Sequence, residues 1–224
     1  MDKDSISILN QEITDCKKCP RLVDFREHVL EKSKKYESEI FWRKPLTGYG
    51  DINGRMMIVG LAPAASGGNR TGRVFTGDKS SEFLISCLYE AGITNQKTSL
   101  SRDDGLAYFD SYISLAVRCV PPENKPEKGE IMNCNPYLLR EIHLMKNLKI
   151  IVVLGKIAFD AVVQSLRESG NTVRGWKFGN GKVYEMDGYK VMCIFHPSPR
   201  NVNTGRITME EFVELFRKAR EMTE

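Results

Sequence analysis

Four groups of residues have types and spacings that could do chemistry. The longest is Gly60-Leu61-Ala62-Pro63-Ala64-Ala65-Ser66-Gly67-Gly68-Asn69-Arg70-Thr71-Gly72-Arg73-Val74-Phe75-Thr76-Gly77-Asp78. Its glycines permit close backbone approach to a ligand. Arg70 and Arg73 could hold an anion, Phe75 offers a flat face, and Asp78 offers a carboxylate or a helix N-cap. Such a loop suits a phosphate and a stacked base. The second group is His196-Pro197-Ser198-Pro199-Arg200-Asn201-Val202-Asn203-Thr204-Gly205-Arg206. A neutral imidazole there could donate a hydrogen bond to a developing anion. Arg200, Asn201 and Arg206 could reach phosphates or push into a duplex. Pro197 and Pro199 stiffen the segment.

The third group is Arg118 to Pro126, where three prolines force an extended loop around Asn124. An amide both donates and accepts, which suits the edge of a pyrimidine, although a turn is a simpler use for it. The fourth is Cys16, Cys19, Cys119 and Cys134. Four thiolates brought together bind structural zinc or an iron–sulfur cluster. Zinc sites favour two close pairs. Here the second pair is wide, which leans toward [4Fe–4S]. Cys87 and Cys193 lie in apolar patterns and read as core.

The elements that must position these groups alternate. Met56 to Val59, Tyr112 to Val117, Ile150 to Leu154 and Val191 to Phe195 are short apolar runs and read as buried strands. Helices are expected at about 4–15, 21–36, 80–91, 135–147, 156–169 and 208–222. Asp187-Gly188 suggests a hairpin turn within 182–189. Residues 36–54 read as a loop. Alternating strands and helices imply an α/β fold with a parallel sheet covered on both faces. Right-handed crossovers place the post-strand loops 62–79, 118–127 and 196–206 at one edge, where ligands bind.

The chain of 224 residues has 33 Lys+Arg against 29 Asp+Glu. This mild excess of positive charge permits a nucleic-acid partner without requiring one. One domain spanning 1–224 is expected. There is no apolar run long enough for a bilayer, and the polar N-terminus lacks a signal-peptide core, so a cytoplasmic location is expected. Six cysteines in a chain of this kind are not a disulfide scaffold.

Together the three loops and the four cysteines resemble the uracil-DNA glycosylase superfamily, and within it family 5, or type b. The resemblance runs from residue 16 to residue 206. It implies a three-layer α/β/α sandwich with a short, mainly parallel sheet. It implies a [4Fe–4S] cluster on Cys16, Cys19, Cys119 and Cys134. It implies removal of uracil from DNA, and in this family often of hypoxanthine or other deaminated bases. Ala62 and Ala64 would line the base pocket, Phe75 would stack on the flipped base, Asn124 would bind its edge, and His196 would sit near uracil O2. Asp78 would lie in the pocket. Arg70, Arg73, Arg200, Asn201 and Arg206 are the expected DNA contacts, with Arg200 nearest the tip of a wedge. Uracil-containing DNA is the expected partner of a monomer. A sliding-clamp partner has no clear motif.

Two departures stand out. Other branches of the superfamily carry Asp, Glu or Asn just after the first strand, where Leu61, Ala62 and Ala64 offer no polar side chain. Family 5 is similar in this respect. Ser66 stands where similar proteins often have histidine. The competing readings are a non-catalytic iron–sulfur or zinc DNA-binding module and a nucleotide hydrolase. The loop lacks the Lys-Ser/Thr ending that a P-loop requires.

Overall fold

A computed structural model describes residues 5–29, 36 and 38–224. Six strands form one sheet: β1 (Tyr49–Gly50), β2 (Met56–Gly60), β3 (Ser111–Leu115), β4 (Ile150–Leu154), β5 (Val183–Glu185) and β6 (Lys190–Ile194). Their order is β1-β3-β2-β4-β6-β5. The four central strands run parallel, with Gly60 opposite Leu115 and Leu154 opposite Ile194. The two edge strands are antiparallel. The carboxyl ends of the four central strands therefore share one edge, as expected.

The period of two in each strand divides the core. Met56, Ile58, Ile113, Leu115, Val152 and Met192 face one side, while Met57, Val59, Tyr112, Val153 and Cys193 face the other. Both faces are covered, which is why the strands read as unbroken apolar runs. The first face packs on α4 (Lys79–Glu90) and α8 (Met209–Glu221). Phe212 and Phe216 of α8 are fully buried there, each contributing about 1.5–3 kcal/mol. The second face packs on α5 (Lys128–Leu144) and α6 (Lys156–Glu168). Leu9 and Ile13 of α1 (Ile6–Thr14) pack with Tyr137 of α5. The result is the expected α/β/α sandwich. Cys87 and Cys193 are fully buried, and burial pushes their thiols up to about 12 and about 11.

Three expectations need correction. The fifth helix begins at Lys128, not near residue 135. Glu127 and Glu130 form a capping box just after Pro126, and Pro136 is carried inside the helix. Cys134 therefore lies within a helix rather than just before one. The stretch 36–54 contains β1, paired with β3. The second helix, α2 (Pro20–His28), ends in extended backbone at Val29, short of the expected residue 36; residues 30–35 of that span lie outside the described residues. The hairpin is as expected, with Met186 donating to the Tyr189 carbonyl at 2.9 Å across the turn and Gly188 at φ +90°. Among the described residues no helix is long and apolar enough to cross a membrane.

The topology also fixes where a crevice opens. β2 leads into α4 on one face, whereas its neighbours β3 and β4 lead into α5 and α6 on the other. Adjacent chains thus leave the sheet in opposite directions at this edge, and ligands bind at such a switch point.

Candidate active site

A cavity of about 410 Å³ lies at that switch point. The loop after β2, which carries the one-turn helix α3 (Gly68–Thr71), supplies Ala62, Ala64, Phe75 and Asp78, the loop after β3 supplies Asn124, and the loop after β6 supplies His196. The structure thus brings together every residue expected to touch the base. Ser66, singled out above, also lines the cavity, as do Lys79, Ser80 and Ser198, which were not anticipated. Lys79 and Ser80 follow Asp78 directly, so the first turn of α4 was the signal for them.

Phe75 sits with φ +47°, a conformation unusual for an aromatic residue. Its carbonyl accepts from Ser99 Oγ at 2.9 Å, which holds the strained turn. Its ring lies over the end of β2. A Cβ on Gly60 would approach Phe75 Cζ to 2.6 Å, so glycine there makes room for the ring. Asn124 closes the one-turn 3₁₀ helix Pro122–Asn124 with φ +57°. It is exposed, and its amide makes no hydrogen bond among the described residues.

Asp78 both caps a helix and lines the cavity. Its Oδ1 accepts from Ser80 N at 2.9 Å and Ser81 N at 3.0 Å, at the start of α4. Its Oδ2 points toward Gly67, where a Cβ would lie only 2.0 Å away. Burial raises its carboxyl above the usual range, and the two N–H donors oppose that rise. His196 follows β6 directly. Burial drops its imidazole to about 4, so it stays neutral at physiological pH. Its carbonyl accepts from Ser198 N and Asn201 Nδ2, both at 2.8 Å. A Cβ on Gly155, which has φ +93°, would sit 3.2 Å from His196 Cβ, so glycine at the neighbouring strand end makes room for the histidine.

The expected DNA contacts divide. Arg200 and Arg206 are exposed, and Arg206 stacks on Phe195 at 4.2 Å. The segment expected to form a wedge is a short helix, α7 (Pro199–Asn203), capped by Ser198. Asn201 holds the His196 backbone instead of reaching outward. Arg73 is corrected outright. It is buried, donating to Thr76 Oγ1, Ser99 Oγ and the Arg102 carbonyl and pairing with Asp104 at 2.8 Å. Arg70 is also committed internally: Nε donates to the Ser66 carbonyl at 2.7 Å and Nη1 pairs with Glu39 at 2.6 Å. Both arginines brace the loop and neither is available to a phosphate.

The four cysteines line one hollow beneath the loop after β3. Arg26 enters it, donating from Nη1 to Cys119 Sγ at 3.1 Å. Its Nε is buried without a hydrogen-bond partner. Asn133 Nδ2 donates to Cys19 Sγ at 3.4 Å. Among the described residues no group of three or more His, Cys, Asp or Glu is placed to hold a metal ion.

Comparison with known proteins agrees with this geometry. The model of the uracil DNA glycosylase superfamily matches residues 47–220. A type-5 uracil-DNA glycosylase of Pyrobaculum aerophilum is 44% identical, covering 92% of this chain and 88% of the relative. One from Thermus thermophilus is 39% identical, covering 95% of both. A type-4 uracil-DNA glycosylase of Saccharolobus solfataricus is 28% identical, covering 97% of this chain and 86% of the relative. The chain belongs to the uracil DNA glycosylase superfamily, in its type-5 branch.

Proposed function

We propose that the protein hydrolyses the N-glycosidic bond of deoxyuridine in DNA, releasing uracil and starting base excision repair. The convergence of Phe75, Asn124, Asp78 and His196 on one cavity carries this reading. A base inside a duplex cannot reach such a site. It must be flipped out at a cost of a few kcal/mol, least at a mismatch. Phe75 then supplies a stacking face, and the unengaged Asn124 amide matches a pyrimidine edge.

As the bond to N1 breaks, its electron pair leaves with the base. Neutral His196 donates to the oxygen where that charge gathers. The sugar becomes oxocarbenium-like, and the Asp78 carboxylate opposes its positive charge. Water bonds to C1′, and its proton ends on the departing uracil or in solvent. Leu61, Ala62 and Ala64 are apolar, and the Asp78 carboxylate with backbone groups orients that water. The small side chains of Ala62 and Ala64 leave room for a second ring, and we extend the substrate range to hypoxanthine.

We assign a [4Fe–4S] cluster to Cys16, Cys19, Cys119 and Cys134. What supports it is the donor set and its surroundings. A buried guanidinium with an unpartnered Nε, set among sulfur atoms, suits the negative charge of ligated thiolates. The wide spacing of Cys119 and Cys134 and the resemblance of the motifs favour a cluster over a single zinc. Bound there, it would supply a cross-link between the N-terminal segment, the Asn124 loop and α5.

A single-turnover assay on oligonucleotides that carry one uracil or one hypoxanthine tests the reading. Alkali-labile strand breaks should appear at the uracil and at hypoxanthine. Binding without breaks would leave the non-catalytic DNA-binding module in its place.

A further inference from the structure

Loop 66–78 has two sides. One lines the cavity through Ser66, Gly68, Phe75 and Asp78. Against the other lie residues 42–44 and 99–104. Trp42 N and Arg43 N donate to the carbonyls of Arg70 and Asn69 at 3.0 and 3.1 Å. Arg73 Nη1 donates to the Arg102 carbonyl at 3.0 Å. The indole of Trp42 is locked in place. A Cβ on Gly72, which has φ +80°, would sit 3.0 Å from Trp42 Cδ2, and the indole Nε1 donates to the Pro45 carbonyl at 3.3 Å.

Two cations rest on this fixed ring. The Arg102 guanidinium lies 4.6 Å from its centroid and the Lys44 ammonium 5.6 Å. Both side chains are exposed, and neither forms an ion pair among the described residues. The neighbouring acids are taken: Glu39 pairs with Arg70 and Asp104 with Arg73. Asp103, next in the chain, is exposed and pairs with neither cation. Like charges repel, so gathering two on one indole without a counter-charge suits an anionic ligand. Stacking orders the guanidinium while leaving N–H donors at its edge, the arrangement that binds phosphate in a fork.

We propose that Arg102 and Lys44, displayed on Trp42, form a phosphate-binding site for the DNA backbone beside the flipped nucleotide. The proposal rests on the glycosylase reading for its ligand. It moves strand contact from the buried Arg73 and engaged Arg70 to the far side of the same loop. That loop then bears the base on one side and the backbone on the other.

Salt dependence tests it. Each phosphate contact steepens log K against log[salt] by about 0.9. Binding of a duplex carrying one non-hydrolysable deoxyuridine analogue should be followed by fluorescence anisotropy across salt. The double variant Arg102→Gln, Lys44→Gln should bind with a slope shallower by about 1.8 and, in 0.1 M salt, more than about tenfold weaker. Arg102→Lys should keep the slope and lose affinity, because the charge stays and the stacked fork goes. Lys149→Gln, at the opposite edge of the sheet, should leave the slope unchanged. An unchanged slope in the double variant, with or without weaker binding, overturns the proposal. Uracil excision by the unaltered protein separates the two readings. Excision with an unchanged slope removes only this site. A shallower slope without excision keeps the site and removes the glycosylase.

Discussion

Replacing His196 by glutamine would separate its catalytic from its structural effect. Unfolded histidine takes up a proton near pH 6.5, whereas folded His196 resists until about 4. The unfolded chain therefore binds more protons between those values. Stability tied to this residue is complete above about 6.5 and is lost as the pH falls toward 4. The difference between 6.5 and about 4 corresponds to roughly 3 kcal/mol at full loss, and roughly 2.5 kcal/mol at pH 4.5. Glutamine does not titrate. Urea denaturation at pH 7 and pH 4.5 should show a smaller acid loss in His196→Gln by about 2–3 kcal/mol.

The rate prediction is independent of that one. A hydrogen bond from a neutral donor to developing charge is worth about 1.5–3 kcal/mol, or about 10- to 100-fold in rate. His196→Ala should slow single-turnover uracil excision at saturating protein by at least about tenfold. With His196 neutral above its low pKa, the unaltered protein's rate should show no histidine inflection between pH 5.5 and 8. An inflection near 6.5 that vanishes in His196→Gln would refute the claim that burial keeps this imidazole neutral. Equal rates in His196→Ala and the unaltered protein would remove His196 from the chemistry.

Arg73→Met should lower stability by about 3–5 kcal/mol, because Asp104 loses its buried partner, while the salt dependence of DNA binding stays the same. Denaturation and binding titrations check the two halves. Gly67→Ala should slow excision about 10- to 100-fold by turning the Asp78 carboxylate aside, since its Cβ would come 2.0 Å from Oδ2. The clash is with the end of one carboxylate side chain, so melting temperature should change less than rate. Purified protein should absorb broadly near about 400 nm and contain iron. Cys119→Ser should lose that absorbance, and colourless protein holding zinc would sink the cluster assignment.

The sheet was legible because strands buried on both faces are apolar without interruption. Met56–Gly60 and Ile150–Leu154 could be read directly. The cavity was legible because parallel strands bring their following loops to one edge. What local pattern missed was long-range polar pairing. Arg73 in a glycine-rich loop looks like an anion site, yet its partners Ser99 and Asp104 lie 26 and 31 residues away. Nothing near Arg73 announces them. The start of α5 was missed for the opposite reason: Pro136 looked like a beginning, and the Glu127–Glu130 box behind Pro126 was the stronger signal. Trp42 gave no hint of its two cations, since they come from segments some sixty residues apart in the chain.

These ties explain how a loop of thirteen residues with little regular structure can hold a site. Arg70 binds the Ser66 and Gly77 carbonyls, so the loop's two ends are joined to one another. Arg73 joins its middle to residues 99–104. Asn69, fully buried, donates to the Arg26 carbonyl at 3.1 Å, and Arg26 in turn donates to Cys119 Sγ. A continuous hydrogen-bonded path therefore runs from the cysteine hollow to the cavity wall. Ordering this wall is accomplished in folding, so little of the binding energy is drawn off when a base enters. The opposite wall differs. Asn124 is exposed, follows Glu123 at positive φ, and has no side-chain tie. The rigid wall can fix the base plane through Phe75, while the Asn124 loop is left to test the base's edge.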